Sequence, residues 1–238
     1  MTLGLAVALA VAAGCERRAP GAPADLLETG KSLYSQHKEE LILRDFFNDR
    51  VGGFYVDVGA WHWHEASTTA YLDAHLAWEG IAIDAQSAFA EGWREHRPRA
   101  KFFSYIVTDN AGAKEPFFLA HALSTTDAAR FGKFDMIDPE KVERVEVETI
   151  TLDALLDREG VTKIDLLSMD IEGGEPKALA GFDIERFRPE LVCIEAGKKF
   201  PERNAAVAAY FKEHGYRRLF RYAAYDGLNW YFTPRDPE

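Results

Sequence analysis

Cysteine is scarce in this chain of 238 residues, which contains only Cys15 and Cys193. Two cysteines exclude a framework of disulfide bonds and a cysteine-rich zinc site. Cys193 stands inside the apolar run 191–194, so we expect a small buried side chain at this position.

The chain also has fewer basic than acidic residues. The chain has 28 lysine and arginine residues against 39 aspartate and glutamate residues, which gives a net charge of −11 at pH 7. Nucleic acids and anionic lipids attract positively charged surfaces, so we expect no nucleic-acid partner. An apolar share of 47% and a charged share of 28% are ordinary for a folded domain and exclude a disordered or collagen-like chain.

The apolar run 3–13 is too short to cross a bilayer as a helix, but it has the length of the apolar core of a signal peptide. Small residues and then Cys15 follow it, which resembles a bacterial lipoprotein cleavage site with Cys15 as the lipidated new N-terminus. We therefore divide the chain into a lipoprotein-like segment with its linker, 1–24, and one domain, 25–238. This interpretation predicts attachment to a membrane through Cys15.

The charges around the apolar run favour a second interpretation. No lysine or arginine precedes the run, and Arg17 and Arg18 directly follow it. Positive charge after such a run opposes translocation. The alternative is an unprocessed apolar tail on a cytoplasmic protein.

Residues from 25 onward alternate between strand-like and helix-like patterns. Such alternation predicts a doubly wound α/β fold, with a mostly parallel sheet and a closing antiparallel hairpin across Asp226 and Gly227. Ligands of such sheets bind at the carboxyl ends of the strands. The predicted strands are 54–58, 80–84, 101–107, 116–119, 145–150, 163–170, 191–195, 216–222 and 228–233, and the predicted helices are 26–48, 65–78, 87–95, 152–157, a helix from 176, and 204–214.

Two strand ends predict a cofactor that contains adenosine. Gly59 follows the first strand, where a glycine lets the backbone turn tightly and approach a ligand. Asp84 ends the second strand, 25 positions after Gly59, and an acidic residue there can accept both hydroxyls of a ribose. The alternative is that Asp57 caps a turn and Asp84 caps a helix.

The chain lacks the G-x-G-x-x-G pattern that places a pyrophosphate on a helix N-terminus. The bulky residues 61–64 (Trp-His-Trp-His) follow Gly59 instead and would crowd a pyrophosphate. This argues against an oxidoreductase with a nucleotide cofactor. S-adenosylmethionine, which carries no phosphate, fits better.

Motifs in both halves of the domain resemble those of FkbM-type methyltransferases, over about residues 50–233. The most specific of them is the Asp-Ile-Glu-Gly-Gly-Glu segment 170–175, set behind a Thr-Leu-Asp segment at 151–153. The other matching segments are 56–60, 67–69, 78–85, 97–99, 147–156, 164–169, 179–181 and 188–191.

The resemblance implies a class I, Rossmann-like methyltransferase fold that uses S-adenosylmethionine. It also implies methylation of a hydroxyl on a sugar or other small molecule. It assigns Asp84 to the ribose, and it places Asp170 and Glu172 next to the transferred methyl group. The predicted cofactor site comprises Asp57, Gly59, Ala60, Asp84, Ala85 and Asp170, together with Trp61, whose ring could cover the cofactor or serve only in packing.

A hydroxyl acceptor must lose a proton during methyl transfer, so a base is needed. The candidates are Asp170, Glu172 and His62, with His64 as a further imidazole. The alternative role for Glu172 and Glu175 is to cap the helix that begins near Pro176.

Two further alternatives stay open at this point. His62 and His64 could bind a metal with Glu65 and Asp57, but two histidines are a weak pattern and we predict no metal site. Many family members have a second glycine where this chain has residues 61–64. That departure, together with the lipoprotein-like N-terminus, allows a non-catalytic, envelope-anchored binding module that keeps the fold.

Overall fold

The computed structural model describes residues 21–133, 138 and 142–235. The helices are α1 (Leu26–Thr29), α2 (Glu39–Phe47), α3 (Ala70–Leu76), α4 (Ala90–His96), α5 (Leu152–Arg158), α6 (Glu175–Ala180), α7 (Ile184–Phe187) and α8 (Pro201–Glu213). The strands are β1 (Phe54–Val58), β2 (Glu79–Ile83), β3 (Ala100–Phe103), β4 (Ile106–Val107), β5 (Lys114–Leu119), β6 (Glu143–Ile150), β7 (Leu166–Met169), β8 (Leu191–Glu195), β9 (Tyr216–Arg218) and β10 (Asn229–Pro234).

The predicted N-terminal anchor, with Cys15, lies outside the described residues, so it stays a prediction. Within the described part of the chain, no helix has the length and apolar character needed to cross a membrane.

Seven strands form the main sheet in the order β3-β2-β1-β7-β8-β10-β9. The first five of these run parallel to their neighbours, and β10 runs antiparallel to both β8 and β9. The predicted doubly wound, mostly parallel sheet with an antiparallel C-terminal pair is therefore confirmed. The strand order reverses between β1 and β7, which is where doubly wound sheets bind their ligands. A second sheet, β4-β6-β5, is inserted between β3 and α5.

The register of the parallel strands brings their carboxyl ends level with one another. Val58 of β1 pairs with Ile83 of β2 on one side and with Met169 of β7 on the other. Met169 in turn pairs with Ile194 of β8. The residues that follow these pairs therefore meet at one edge of the sheet: Gly59, Asp84, Asp170 and Glu195.

The sheet is buried on both faces, as alternate residues of its central strands show. Val56 and Val58 belong to one apolar cluster, while Tyr55 belongs to a second cluster on the opposite face. Cys193 of β8 is only 3% exposed and packs in the second cluster, which confirms its predicted burial. Burying side chains of this size contributes about 1.5–3 kcal/mol each, so these two clusters supply much of the driving force for folding.

The predicted helix 26–48 was wrong in its middle part. The chain forms α1 and α2 with a loop between them, because Gly30 takes an extended conformation and the helix cannot continue through it. The Glu40 carboxylate of α2 accepts hydrogen bonds from the backbone amides of Leu33 and Tyr34, which holds the loop against the helix.

Other helices and strands also differ from their predicted boundaries. The helix predicted from residue 65 begins only at Ala70, because residues 59–69 form a loop held by side chains of other elements. The strand predicted over 101–107 is divided into β3 and β4, which belong to different sheets. The last two strands are joined by a longer connection than the predicted tight hairpin, and it contains a 3-10 turn at Phe220–Tyr222.

Candidate functional site

A cleft opens at the carboxyl ends of β1, β2 and β7, and we call it the first cleft. Its cavity volume is about 70 Å³, and it is open to solvent on one side. Six residues singled out from the sequence line it: Gly59, Trp61, Asp84, Ala85, Asp170 and Glu172. Asp57, Ala60 and His62 are not among the described residues that line it.

Asp84 lies at the end of β2 with only 8% of its surface exposed. One carboxylate oxygen accepts the backbone amide of Trp61 at 2.9 Å, and the other accepts that of Gln86 at 2.8 Å. Burial raises the pKa of Asp84 to about 6, although both amide hydrogen bonds oppose the shift. The side chain is therefore fixed in orientation and carries a charge at neutral pH.

Gly59 permits a very close approach between the ends of β1 and β7. Its φ of +83° lies in the left-handed region that favours glycine. A Cβ atom at this position would lie 1.7 Å from the backbone oxygen of Asp170. The glycine thus serves the contact between the two strand ends, and this contact sets where Asp170 stands in the cleft.

Asp57 is placed in a buried polar network beside the first cleft. Its carboxylate accepts the hydroxyl of Thr69 at 2.8 Å, and burial raises the pKa of this carboxyl. Arg97 lies at the centre of the network, with an ion pair to Asp73 at 2.8 Å and a hydrogen bond to the Tyr55 hydroxyl at 2.7 Å. The structure therefore gives Asp57 a role in holding the β1–α3 loop.

The role of Arg97 was not predicted from the sequence, where this residue forms part of the matching segment 97–99. Its guanidinium also donates to the backbone oxygens of Trp63 and Thr69, at 3.0 and 3.2 Å. Arg97 is 3% exposed, and its position just before Pro98 was the one available indication of a fixed conformation. These bonds explain why residues 59–69 form an ordered loop instead of the start of a helix.

The histidines of the β1–α3 loop support the loop itself. The Nδ1 atom of His62 accepts the backbone amides of His64 and Glu65, at 3.1 and 3.0 Å. Trp63 stacks on His96 with ring centroids 3.9 Å apart. His62 therefore has one ring nitrogen occupied and stands away from the lining of the first cleft, which weakens it as a candidate base.

Trp61 does line the first cleft. Its backbone amide donates to Asp84, and its backbone oxygen accepts the indole N–H of Trp93 at 2.9 Å. Its own indole nitrogen, Nε1, is buried without a hydrogen-bond partner. A buried donor without a partner is costly, so it suits a ligand that offers an acceptor.

Four carboxyl groups meet at the ends of β7 and β8: Asp170, Glu172, Glu175 and Glu195. Asp170 lines the cleft and is exposed to solvent there, with the other three carboxyl groups close to it. Its pKa is raised well above the usual value, first by loss of solvent and then by the negative charge of Glu195, Glu172 and Glu175. The pKa of Glu172 is raised to about 7 for the same two reasons.

Two arginines balance part of this charge. Arg203 bridges Glu175 and Glu195, at 3.3 and 2.6 Å. Arg130, in the β5–β6 connection, pairs with the Glu172 carboxylate. In the described part of the chain, Asp170, Glu175 and Glu195 have ligand atoms close enough to share a metal ion, but Arg203 already supplies a cation to two of the three.

The bonds of Glu172 and Glu175 differ from the predicted capping of α6, which has no side-chain hydrogen bond at its N-cap. Glu175 accepts the backbone amides of Ile171 and Gly173, at 3.1 and 3.2 Å, and is fully buried. Glu172 instead has a left-handed backbone with φ +53°, and its carboxylate is paired with Arg130. Glu172 is therefore turned toward the cleft, while Glu175 fixes the turn before α6.

The inserted sheet supplies a wall of the cleft that the sequence did not reveal. Its residues come from the β5 strand and from the connection that follows it, where no motif was recognised. Those that line the first cleft are Glu115, Phe117, His121, Ala122, Ser124 and Thr126. Thr125 anchors this wall, because its hydroxyl donates to the backbone oxygen of Glu172 at 2.9 Å.

Two comparisons with known proteins found a match. Among solved structures, a TehB-like SAM-dependent methyltransferase from Corynebacterium glutamicum aligns over 89% of this chain and 93% of its own, with 13% identity and a TM-score of 0.46. No curated protein matches the chain. The sequence model of the methyltransferase FkbM domain matches residues 57–218, which include the end of β1 and all of β2, β7 and β8. The chain therefore belongs to the FkbM methyltransferase family.

Proposed function

We propose that this protein is an S-adenosylmethionine-dependent methyltransferase that methylates a hydroxyl of a sugar or another small molecule. One observation carries the proposal: Asp84 at the end of β2 and Asp170 at the end of β7 line the same cleft. Membership of the FkbM methyltransferase family supports it, because S-adenosylmethionine is the usual cofactor of this class.

The residues of the first cleft fit such a cofactor. Asp84 offers a fixed, charged carboxylate to the ribose hydroxyls. Trp61 offers a buried indole N–H that has no partner. Asp170 and Glu172 place negative charge where a positively charged sulfonium would be stabilised. Ile83, Val107 and Phe117 provide apolar surface for an adenine ring.

The bound cofactor supplies a methyl group on a positively charged sulfur atom. The chain must hold the acceptor in line with that group and take up the hydroxyl proton. Asp84, Trp61 and Asp170 would hold this cofactor, which would supply an electrophilic methyl group to the acceptor oxygen. The proton passes to a carboxylate of the chain.

Asp170 and Glu172 are the carboxylates placed to receive that proton. A general base works best when its pKa is close to the working pH, and burial and neighbouring charges raise the pKa of Glu172 to about 7. Arg130 holds the Glu172 side chain in place. His62 is the weaker choice, since its Nδ1 atom is occupied by backbone amides.

Calorimetric titration of S-adenosylhomocysteine into the full chain tests the proposal. We expect saturable one-to-one binding, and we expect Asp84→Asn to weaken it about 10- to 100-fold, because a hydrogen bond to a charged group is lost. Glu79→Gln is the matched control, since Glu79 lies exposed at the opposite end of β2 and should leave the affinity unchanged.

A folded wild-type protein that binds no S-adenosylhomocysteine would contradict the proposal. That result would favour the alternative of a non-catalytic binding module that keeps the methyltransferase fold. Equal affinity of the Asp84→Asn variant and the wild type would show that the cofactor, if bound, is not held through β2.

A further inference from the structure

A second cleft adjoins the first and shares two residues with it. It encloses about 660 Å³ and runs between the residues before α2, the loop after β8 and the turn before β10. Asp170 and Glu172 line both clefts, so they stand at the junction. We call this space the second cleft.

The walls of the second cleft are polar and mostly acidic. Among the described residues, five carboxyl side chains line it against three lysine or arginine side chains. The carboxyls are Glu39, Asp170, Glu172, Glu195 and Asp226. The lining is therefore rich in hydrogen-bond acceptors and carries an excess of negative charge.

One cationic side chain of the lining has a donor to spare. Arg130 is 4% exposed, and its Nη2 atom pairs with Glu172. Its Nη1 atom is buried without a hydrogen-bond partner. Buried donors normally find an acceptor, so this atom suits a ligand oxygen or an ordered water.

Opposite the junction, Asn229 is held between two carboxyl groups. Its side-chain amide donates to Glu39 at 3.2 Å and to Asp226 at 3.0 Å. The hydroxyl of Tyr231 donates to the same oxygen of Asp226 at 2.7 Å. This wall is therefore fixed by hydrogen bonds, and its carboxyl oxygens can accept further donors.

We propose that the second cleft holds the methyl acceptor, and that it takes a neutral, hydroxyl-rich group such as a sugar unit while rejecting acceptors that carry phosphate or carboxylate. The inference rests on the proposed function, because it needs a methyl donor in the first cleft. In this proposal Glu39, Asp226 and Arg130 bind the acceptor. They lie beside Asp170 and Glu172, which line both clefts.

Hydroxyl groups match this lining because each can both donate and accept a hydrogen bond. They can donate to the carboxyl oxygens and accept from the unpartnered nitrogen of Arg130. An anionic group would add a charge to a cluster in which burial and then the negative charge of Asp226 already raise the pKa of Glu39. Like charges in a partly buried cleft repel strongly, which disfavours an anionic acceptor.

Saturation-transfer NMR on the full chain loaded with S-adenosylhomocysteine tests the inference with two probes. We expect saturation transfer to D-glucose and at least about tenfold less to glucose 6-phosphate. The two probes have similar sugar rings and differ in the phosphate, so the comparison measures the charge preference of the cleft.

Two variants locate the binding. Gly227 lines the second cleft, and a Cβ atom there would meet no other atom within 4 Å, so Gly227→Phe can fill the cleft without a backbone clash. We expect it to abolish transfer to the neutral sugar and to keep the affinity for S-adenosylhomocysteine. Ala209→Phe, at an exposed site on α8 outside both clefts, is the matched control and should change neither.

Gln36→Lys tests the charge preference directly. Gln36 is exposed at the edge of the second cleft, so the added charge should raise transfer to glucose 6-phosphate relative to the neutral sugar. The inference is wrong if glucose 6-phosphate binds as well as the neutral sugar, if neither probe shows transfer, or if Gly227→Phe leaves transfer unchanged. Each of these outcomes in a protein that binds S-adenosylhomocysteine overturns the acceptor site alone, whereas loss of that binding in the wild type overturns the proposed function.

Discussion

The affinity for S-adenosylhomocysteine should depend on pH through Asp84. The ribose hydroxyls donate to the ionised carboxylate, so protonation of Asp84 removes their acceptor. Burial raises the pKa of this carboxyl from 3.8 to about 6. The raised value means that the affinity is almost fully present at pH 7 and is lost as the pH falls through about 6.

The size of the effect follows from the fraction of Asp84 that is ionised. At pH 5 a group with a pKa of about 6 is roughly one-tenth ionised, so the dissociation constant should rise about tenfold between pH 7 and pH 5. A carboxyl with the ordinary pKa of 3.8 would lose less than about 10% of its charge at pH 5, and the affinity would hardly change.

Calorimetric titration at half-unit steps from pH 5 to pH 7 measures this dependence. The Asp84→Asn variant is the control, because an amide does not titrate and its weaker affinity should stay level across the range. Asp170 also has a raised pKa, and any pH dependence that remains in the variant would belong to such other groups. A wild-type affinity that is constant from pH 5 to pH 7 would refute the placement of the ribose on Asp84.

Two further predictions concern the close backbone contact at Gly59 and the buried polar network around Arg97. Gly59→Ala should lower the free energy of unfolding by more than the about 1–2 kcal/mol of a left-handed residue, because the added Cβ meets the backbone oxygen of Asp170. Gly160→Ala, also left-handed but in open space, should lose only that smaller amount, and equal losses in urea titrations would contradict the close approach. Arg97→Met should cost about 3–5 kcal/mol by leaving the buried Asp73 with a weaker partner, and a loss under about 1 kcal/mol would show that the network is not needed for stability.

The ends of the strands were the most predictable part of the site. Gly59, Asp84 and Asp170 each follow an apolar run that makes a buried strand, and parallel strands present such ends at one edge. Their meeting in one cleft therefore followed from the order of residues. The hydrogen bond from Thr69 to Asp57 could not be predicted, because a carboxyl inside a buried strand has no local feature that identifies its partner.

The second cleft depends on contacts between segments that are distant in the sequence. Arg130 meets Glu172 across 42 positions of the chain, and Asn229 meets Glu39 across 190. The β5–β6 insertion and the loop before α2 have no motif, and their place beside Asp170 is decided by how the helices pack on the sheet. Their contribution to a cleft could not be read from local pattern.

By itself the sequence determined the alternation of strands and helices, the burial of Cys193 and the row of acidic residues at the strand ends. These depend on apolar periodicity and on residue types at chain neighbours, which are local properties. The tertiary structure alone decided which carboxyls share a cleft, which are neutralised by Arg130 and Arg203, and how far their pKa values rise. Those properties depend on burial and on charges brought together from remote parts of the chain, and only the packed fold sets such distances.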